Sequence, residues 1–249
     1  MRFSLPKPIH GWRAFWGEVG IIVIGVLIAL GAQQLIEGRN DRTRANDAMA
    51  AIRREVADHD FSASEIEIAR PCIEAQLDAI EKRLLDGDQT PLPRYSEANF
   101  TAPYVLRIPN RQWASTTWQS VNDTEVLRRL EPEFAGLMAR HYAQVDSQRE
   151  VGKDAINEVY GLNSLSVLMP RAEAERMRYI DAVEKLRSKI GALDQSAGQL
   201  RDRQAKAGLL MSESELQLQL RRSGTLKYCN AHGLSLARLR PPDPKSANL

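Results

Sequence analysis

The chain has 249 residues, of which 43% are hydrophobic and 27% are charged, and its formal net charge is +2. These values are ordinary for a globular protein, so they exclude a disordered chain and a transporter with many spans. Basic and acidic residues are interspersed, which argues against a nucleic-acid partner. Only 6% of the residues are aromatic, and few Gly and Pro residues accompany them, which favours an all-α domain.

The most distinctive stretch is residues 19–36, VGIIVIGVLIALGAQQLI, which contains no charged residue. About 20 residues, each rising about 1.5 Å, cross a bilayer core of about 30 Å, so the stretch reaches the length of a transmembrane helix. We therefore predict that residues 19–36 contact lipid as an anchor and that residues 1–18 form an N-terminal tail. Gly25 and Ala29 make a small-xxx-small pair, which predicts a homo-oligomer packed through the anchor.

Two properties of the anchor stay open at this point. A cleaved signal peptide is the alternative, because residues 29–31 resemble a processing site, but the long lead and Glu18 at the membrane edge favour an uncleaved anchor. Three Lys and Arg precede the span and five follow it within twenty residues, which favours a cytoplasmic C-terminal domain. We nevertheless predict an extracytoplasmic domain, because long domains translocate largely regardless of charge and two cysteines suit an oxidising compartment.

The sequence of residues 17–32, GEVGIIVIGVLIALGA, resembles the GE-x-x-(I/V)VIG-(I/V)LIAL anchor of a family of uncharacterised bacterial single-span membrane proteins. A looser similarity covers residues 115–127, where those proteins carry an ST-x-aromatic stretch before a helix. Gln33 and Gln34 depart from the Asn-Trp-Asn found in many members. The resemblance implies a bacterial single-span membrane protein with a helical domain after the anchor. It implies no mechanism, because the family has no assigned activity.

Beyond the anchor, apolar residues recur at alternating spacings of three and four along residues 45–84, which predicts one long helix. Pro71 interrupts this pattern, so we expect a kink or a new helix start near Arg70. Residues 88–111 contain four prolines and no helical period, which predicts a long loop. Within this loop, residues 104–108 are a candidate extended segment.

The rest of the chain predicts further helices. Three of them cover residues 111–121, 125–130 and 132–161. A long helix begins at Pro170, and its stripe of apolar residues, which we call the seam, runs from Val183 to Met211. The last helix covers residues 212–228, with Ser212 as N-cap. The predicted fold class is all-α, with an N-terminal transmembrane helix followed by an antiparallel helical bundle of long heptad-patterned helices. The bundle covers residues 37–234 and a Pro-rich tail covers 235–249. A parallel coiled-coil dimer through the Val183 seam is the alternative.

Cys72 and Cys229 are the two cysteines of the chain. An extracytoplasmic location favours a disulfide between them, and closing so long a loop would stabilise the fold by ~3–5 kcal/mol. Two unpaired buried thiols are the alternative. Neither Cys229 with His232 nor the Asp58–His59–Asp60 run has a partner at metal-site spacing, so we expect no metal and no cofactor.

Arginine and aromatic residues concentrate around the end of the long loop, at Tyr104, Arg107, Arg111, Trp113 and Trp118. Because Trp, Tyr and Arg dominate binding contacts, these residues are a candidate ligand or partner surface. The alternative is that Trp113 and Trp118 pack against one end of the bundle.

Motifs for nucleophilic catalysis and phosphate binding are missing from the sequence: it has no G-x-S-x-G, no S-x-x-K and no glycine-rich loop. The sequence therefore favours a non-catalytic interaction, scaffold or sensor module of the cell envelope, with an unknown envelope protein as partner. The alternative is a membrane-tethered hydrolase with its site near residues 88–125, using His141, Asp123 or Glu125. His59 and His141 both fall on apolar stripes, which predicts core histidines whose ring nitrogens are hydrogen-bonded.

Overall fold

The computed structural model of the chain describes residues 11–97, 100–101, 104–122, 130–243 and 245. They form an all-α fold with one minimal β-pair, in which a long helix precedes several shorter ones. The elements in chain order are α1 (Gly11–Leu85), β1 (Ser96–Glu97), β2 (Phe100–Thr101), α2 (Thr116–Asn122), α3 (Pro132–Leu162), a 3₁₀ turn (Asn163–Ser166), α4 (Glu173–Ala207), α5 (Glu213–Arg222) and α6 (Gly224–Ala231).

The chain divides into two compact units, Met1–Met49 and Ala50–Leu249. In the first unit, residues 21–30 of α1 are all exposed. Among the described residues, α1 is the one helix that is long and apolar enough to cross a membrane, and its most apolar window has a mean hydropathy of 2.3 with no buried residue. The predicted anchor is therefore helical and has an apolar surface around its whole circumference.

The second unit is a bundle of the later part of α1 with α3 and α4. Asp60 of α1 pairs with Arg201 of α4, and Arg70 pairs with Asp194, so a higher number on α1 meets a lower number on α4. These two helices are therefore antiparallel. Seven residues of the predicted seam are buried within the chain: Val183, Leu186, Ile190, Leu193, Ala197, Leu200 and Gln204. The predicted extension of the seam to Met211 is wrong, because α4 ends at Ala207, which is half-buried.

The pairing of α3 with α4 follows the same rule. Gln144 of α3 donates to Ser196 at 2.9 Å, and Lys189 of α4 pairs with Glu158 at 2.7 Å. Since both α1 and α3 run opposite to α4, they run parallel to each other and are joined by a long crossover. This packing confirms the predicted antiparallel bundle, and it buries the α4 seam without a second copy.

Pro71 lies inside α1, which continues to Leu85. The expectation of a new helix start near Arg70 is therefore wrong. Proline removes one backbone donor and crowds the preceding turn. In that turn, the Ile68 carbonyl accepts a hydrogen bond from the backbone N–H of Ala237 at 2.9 Å. The C-terminal segment therefore makes a backbone hydrogen bond with α1 in the turn before the proline.

The C-terminal segment is attached to the bundle by several bonds. A disulfide joins Cys72 of α1 to Cys229 of α6, with a Cα–Cα distance of 5.9 Å, and both residues are fully buried. Beyond it, Arg201 donates to the Arg240 carbonyl at 2.7 Å. Leu236 and Leu239 pack against the core. The Pro-rich tail is therefore part of the second unit as far as the structure describes it.

Several helix boundaries differ from the predicted ones. Residues 111–115 are not helical, and α2 starts at Thr116, where Glu55 of α1 accepts from the Thr117 N–H at 3.1 Å. The predicted helix over residues 125–130 lies outside the described residues apart from its last position. The predicted last helix is two helices, because Ser223 caps a new start by accepting from the Leu226 N–H at 3.0 Å. Segment 104–108 is not a strand, and α4 starts at Glu173, after Pro170.

Candidate functional site

A groove of about 620 Å³ lies beside the end of the long loop. One wall is the loop of residues 108–116, the opposite wall is the α3 segment of residues 149–157, and Ile66 of α1 and Leu193 of α4 also line it. Clefts of about 300–1,000 Å³ are the usual size of small-molecule sites. We name this groove the loop groove.

The structure separates the five predicted binding residues into three places. Arg111 and Trp113 line the loop groove. Tyr104 and Arg107 lie elsewhere: the Tyr104 hydroxyl is 3.2 Å from that of Tyr160, and the Arg107 guanidinium stacks 5.0 Å from the ring of Tyr95.

Trp118 also lies outside the groove. It is 8% exposed and stacks on Tyr142 with ring centroids 5.2 Å apart. Trp113 is 5% exposed, so both tryptophans pack in the bundle, and Trp113 also lines the groove. The predicted surface is therefore a groove to which the sequence candidates contribute one arginine and one tryptophan.

Arg111 is fixed by a buried carboxylate. Its Nε and Nη2 donate to the two oxygens of Glu65 at 2.6 and 3.1 Å, and its guanidinium lies 4.8 Å from the ring of Phe61. The Glu65 side chain is fully buried, whereas that of Arg111 is 36% exposed. Ser223 also donates to Glu65. The carboxylate therefore orients the guanidinium without occupying the groove itself.

Arg149 of α3 connects the two walls of the groove through hydrogen bonds to the loop. Its Nε donates to the Trp113 carbonyl at 2.8 Å, its Nη2 to Ser115 Oγ at 2.9 Å, and its Nη1 to Asp146 at 2.8 Å. Lys153 follows one turn later on α3, is exposed, and has no ion pair within the part of the chain that the structure describes. Residues at i and i+4 share a helix face, so both cations reach the same groove.

Sequence reasoning missed Arg149 and Lys153. The signal available was a pair of basic residues four apart on one face of a predicted helix, which is more often a solvated face than a site. Nothing in the sequence indicates that this face lies opposite the loop of residues 108–116. Their role depends on long-range packing alone.

Two buried histidines lie behind the loop wall. The Ala114 carbonyl is 2.8 Å from His59 Nε2, and His59 Nδ1 is 3.1 Å from His141 Nε2. Because a carbonyl only accepts, His59 Nε2 carries the proton, its Nδ1 accepts, and His141 Nε2 is the donor. His141 Nδ1 is then a bare acceptor, and it has no partner among the described residues.

Both histidines are held neutral. Burial lowers the pKa of His59 to about 4, despite the opposing effects of the Ala114 carbonyl and Glu55. Burial and the neighbouring His59 and Arg203 lower the pKa of His141 well below its usual range. His141 is fully buried, so it does not reach the groove. The expectation of core histidines holds for their location, but His141 Nδ1 lacks a hydrogen-bond partner within the part of the chain that the structure describes.

The other predicted chemistry is placed as follows. Cys229 forms the disulfide, and His232, three residues on, packs on Tyr228 with ring centroids 4.1 Å apart. Asp58 is exposed, whereas the next two residues are buried with different partners. Asp123 and Glu125 lie outside the described residues.

Comparison with known proteins gave no match. No family model, no characterised protein and no solved structure matches this chain.

Proposed function

We propose that the chain is a single-pass protein of the bacterial inner membrane whose second unit is a non-catalytic binding module, acting as an interaction, scaffold or sensor domain in the periplasm. The observation that carries this proposal is the loop groove, where Arg111, Arg149 and Lys153 converge on an apolar base. Concave sites with a few convergent polar groups are the usual binding sites of proteins.

The membrane assignment is supported by the exposed apolar surface of residues 19–36. In water, such a surface would be an aggregation liability, whereas in lipid it needs no further cover. The family resemblance of residues 17–32 favours the bacterial inner membrane.

The periplasmic assignment is supported by the buried Cys72–Cys229 disulfide, because disulfides persist mainly in oxidising compartments. Topology is tested by fusing alkaline phosphatase or, separately, a fluorescent protein that matures only in the cytoplasm to the C-terminus in a bacterial host. We expect phosphatase activity and a mobility shift of the protein upon reduction. Cytoplasmic fluorescence would overturn the assignment and would agree with the arginine count around the span.

A binding role is favoured over the hydrolase alternative by the chemistry of the groove. Ser115 Oγ accepts hydrogen bonds from Arg149 and Gln119. Among the described residues that line the groove, none is a histidine, an aspartate or a glutamate. A nucleophilic hydroxyl needs an adjacent base. His141, the best candidate base of the alternative, is buried and bonded to His59.

The binding role is tested by placing a photo-crosslinking amino acid at Gln112, which is exposed and lines the groove, in full-length protein in bacterial membranes. The matched control is Gln217, which is exposed on α5 and does not line the groove. We expect a defined adduct at Gln112 and none at Gln217. Equal labelling at both positions, or turnover of envelope substrates that is lost on Arg111→Lys, would contradict a non-catalytic binding groove.

A further inference from the structure

We infer that the loop groove binds a small amphiphilic organic anion, with a carboxylate or phosphate head and an apolar part of several carbons. This inference rests on the proposed binding role of the groove and goes further by naming the ligand class. The argument comes from the charge of the lining, from the unused hydrogen-bond donors and from the apolar base.

The charge of the lining has one sign. Arg111, Arg149 and Lys153 are all among the residues that line the groove, and none of those residues is an aspartate or glutamate. The two carboxylates that pair with the arginines do not line the groove. Glu65 is fully buried behind Arg111, and Asp146 accepts from Nη1 of Arg149. A concave lining of one sign attracts a ligand of the opposite sign.

The cations retain donors for a ligand. A guanidinium has five N–H donors and an ammonium has three. Two of the donors of Arg111 bind Glu65, which leaves three. Lys153 has no hydrogen-bond partner within the described chain, so its donors are unused. Because Glu65 and Phe61 already orient Arg111, a ligand loses little side-chain entropy when it binds there.

The base of the groove is apolar. Ile66, Ile108, Trp113 and Leu193 are 5–6% exposed and form it together with Ile156 of α3. Burying apolar ligand surface stabilises a complex roughly in proportion to the area removed from water. A fully hydrated ion such as inorganic phosphate would leave this surface uncovered, whereas a ligand with an alkyl or ring part would cover it.

Amide side chains surround the cations and add neutral donors. Four line the groove: Asn110, Gln112, Gln119 and Asn157. Their N–H groups can donate hydrogen bonds to oxygen atoms of the ligand next to its charged head. The volume of about 620 Å³ fits one drug-sized molecule and is small for a folded segment of another protein, so we commit to a small molecule.

The test uses hexyl phosphate as the probe and full-length protein in amphipol, with binding measured by calorimetry. Hexanol lacks the charge and inorganic phosphate lacks the apolar part. We expect hexyl phosphate to bind with a Kd of about 1 mM or tighter, and each of the two partial probes to bind at least about tenfold more weakly. Equal affinity for hexanol and hexyl phosphate would overturn the inference.

Lys153 is the residue to change, because it is exposed and has no ion pair or hydrogen bond among the residues that the structure describes. We expect Lys153→Glu to weaken hexyl phosphate binding by about tenfold or more. The matched control is Lys227→Glu, which makes the same charge change on the exposed face of α6, outside the groove lining, and should change the Kd by less than about twofold. Equal loss in both variants would mean non-specific charge attraction and would overturn the site.

A second probe distinguishes a lipid from a soluble metabolite as the natural ligand. Water-soluble dihexanoyl phosphatidic acid carries the same head on two chains, so tighter binding than hexyl phosphate indicates a lipid, and weaker binding indicates a soluble metabolite. Both outcomes support the anion site. If neither binds while Gln112 still forms its adduct, the ligand class is wrong and the binding role stands. If Gln112 also gives no adduct, both fail.

Discussion

Two regions of the same helix follow opposite rules. Residues 19–36 of α1 contain no charge and are exposed along almost their whole length. Residues 59–67 contain a histidine, an aspartate and two glutamates, and every one of these nine residues is buried. Hydrophobicity alone would assign the first region to the core and the second to the surface.

The difference teaches what each environment requires. The buried acids of the second region are bonded: Asp60 pairs with Arg201 at 2.9 Å, and its other oxygen accepts from the Met211 N–H at 3.0 Å. Buried charges persist only when they are paired and hydrogen-bonded. Residues 21–30 of the first region are all exposed in the described part of its unit, and under the proposed membrane assignment lipid would supply the apolar surroundings that they need.

Removing the disulfide should have the largest effect on the stability of the buried region, and none on residues 19–36. Cys72→Ala with Cys229→Ala opens a loop of 157 positions, and we expect the free energy of unfolding of the second unit to fall by ~3–5 kcal/mol. Urea unfolding of the detergent-solubilised protein measures this loss. Hydrogen exchange should accelerate in residues 59–67 and stay unchanged in 19–36. An unchanged urea midpoint would show that the disulfide does not support the buried region.

Breaking a buried ion pair tests whether the second region depends on its charges. Asp60→Ala leaves Arg201, which is 5% exposed, without its nearest carboxylate, and we expect a loss of about 3–5 kcal/mol. Asp47→Ala, on the exposed face of the same helix, is the control and should cost less than about 0.5 kcal/mol. Similar urea midpoints for the two variants would contradict the assigned role of the buried pair.

Acidification should destabilise the second unit through its histidines. The folded pKa of His59 is about 4 against about 6.5 unfolded, so between these values the unfolded chain binds more protons and stability falls as the pH falls. The contribution present above about pH 6.5 is about 3 kcal/mol. His141, also lowered by burial, acts in the same direction. Glu67, whose pKa burial raises, opposes them by gaining stability on acidification.

The measurement is urea unfolding at pH 7 and pH 5. We expect the loss of stability on acidification to shrink in a His59→Gln, His141→Gln double variant, because neither glutamine titrates. A double variant with the same pH dependence as the natural chain would attribute the loss to other groups.

The smallest expected effect on stability comes from the exposed region. Gly25→Leu should leave the urea midpoint of the second unit unchanged, because nothing lies within 4 Å of the position that a Cβ would take. If two copies pack through Gly25 and Ala29, the variant should abolish crosslinking between copies. Leu27→Ala, on the opposite helix face, is the control. Crosslinking that survives Gly25→Leu would remove this face as the contact.

The candidate site was predictable in part. Composition singled out five arginine and aromatic residues around the end of the long loop, and only two of them, Arg111 and Trp113, line the loop groove. Arg149 and Lys153 carry no such signal, since a basic pair on a helix face is usually solvated. Glu65 carries no such signal either, because its partners, Arg111 of the loop and Ser223 at the start of α6, are distant in the sequence.

The sequence by itself determined the local features: the apolar run of residues 19–36, the helical periodicity, and the cap at Ser212, whose side chain accepts from the Glu215 N–H at the start of α5. These depend on neighbours within a few turns, so a single stretch contains the necessary information. Only the tertiary structure decided that residues 59–67 are buried on all sides and that loop and α3 form one groove. Such features depend on which distant residues supply partners for buried charges, and this choice is made by the packing of the whole unit.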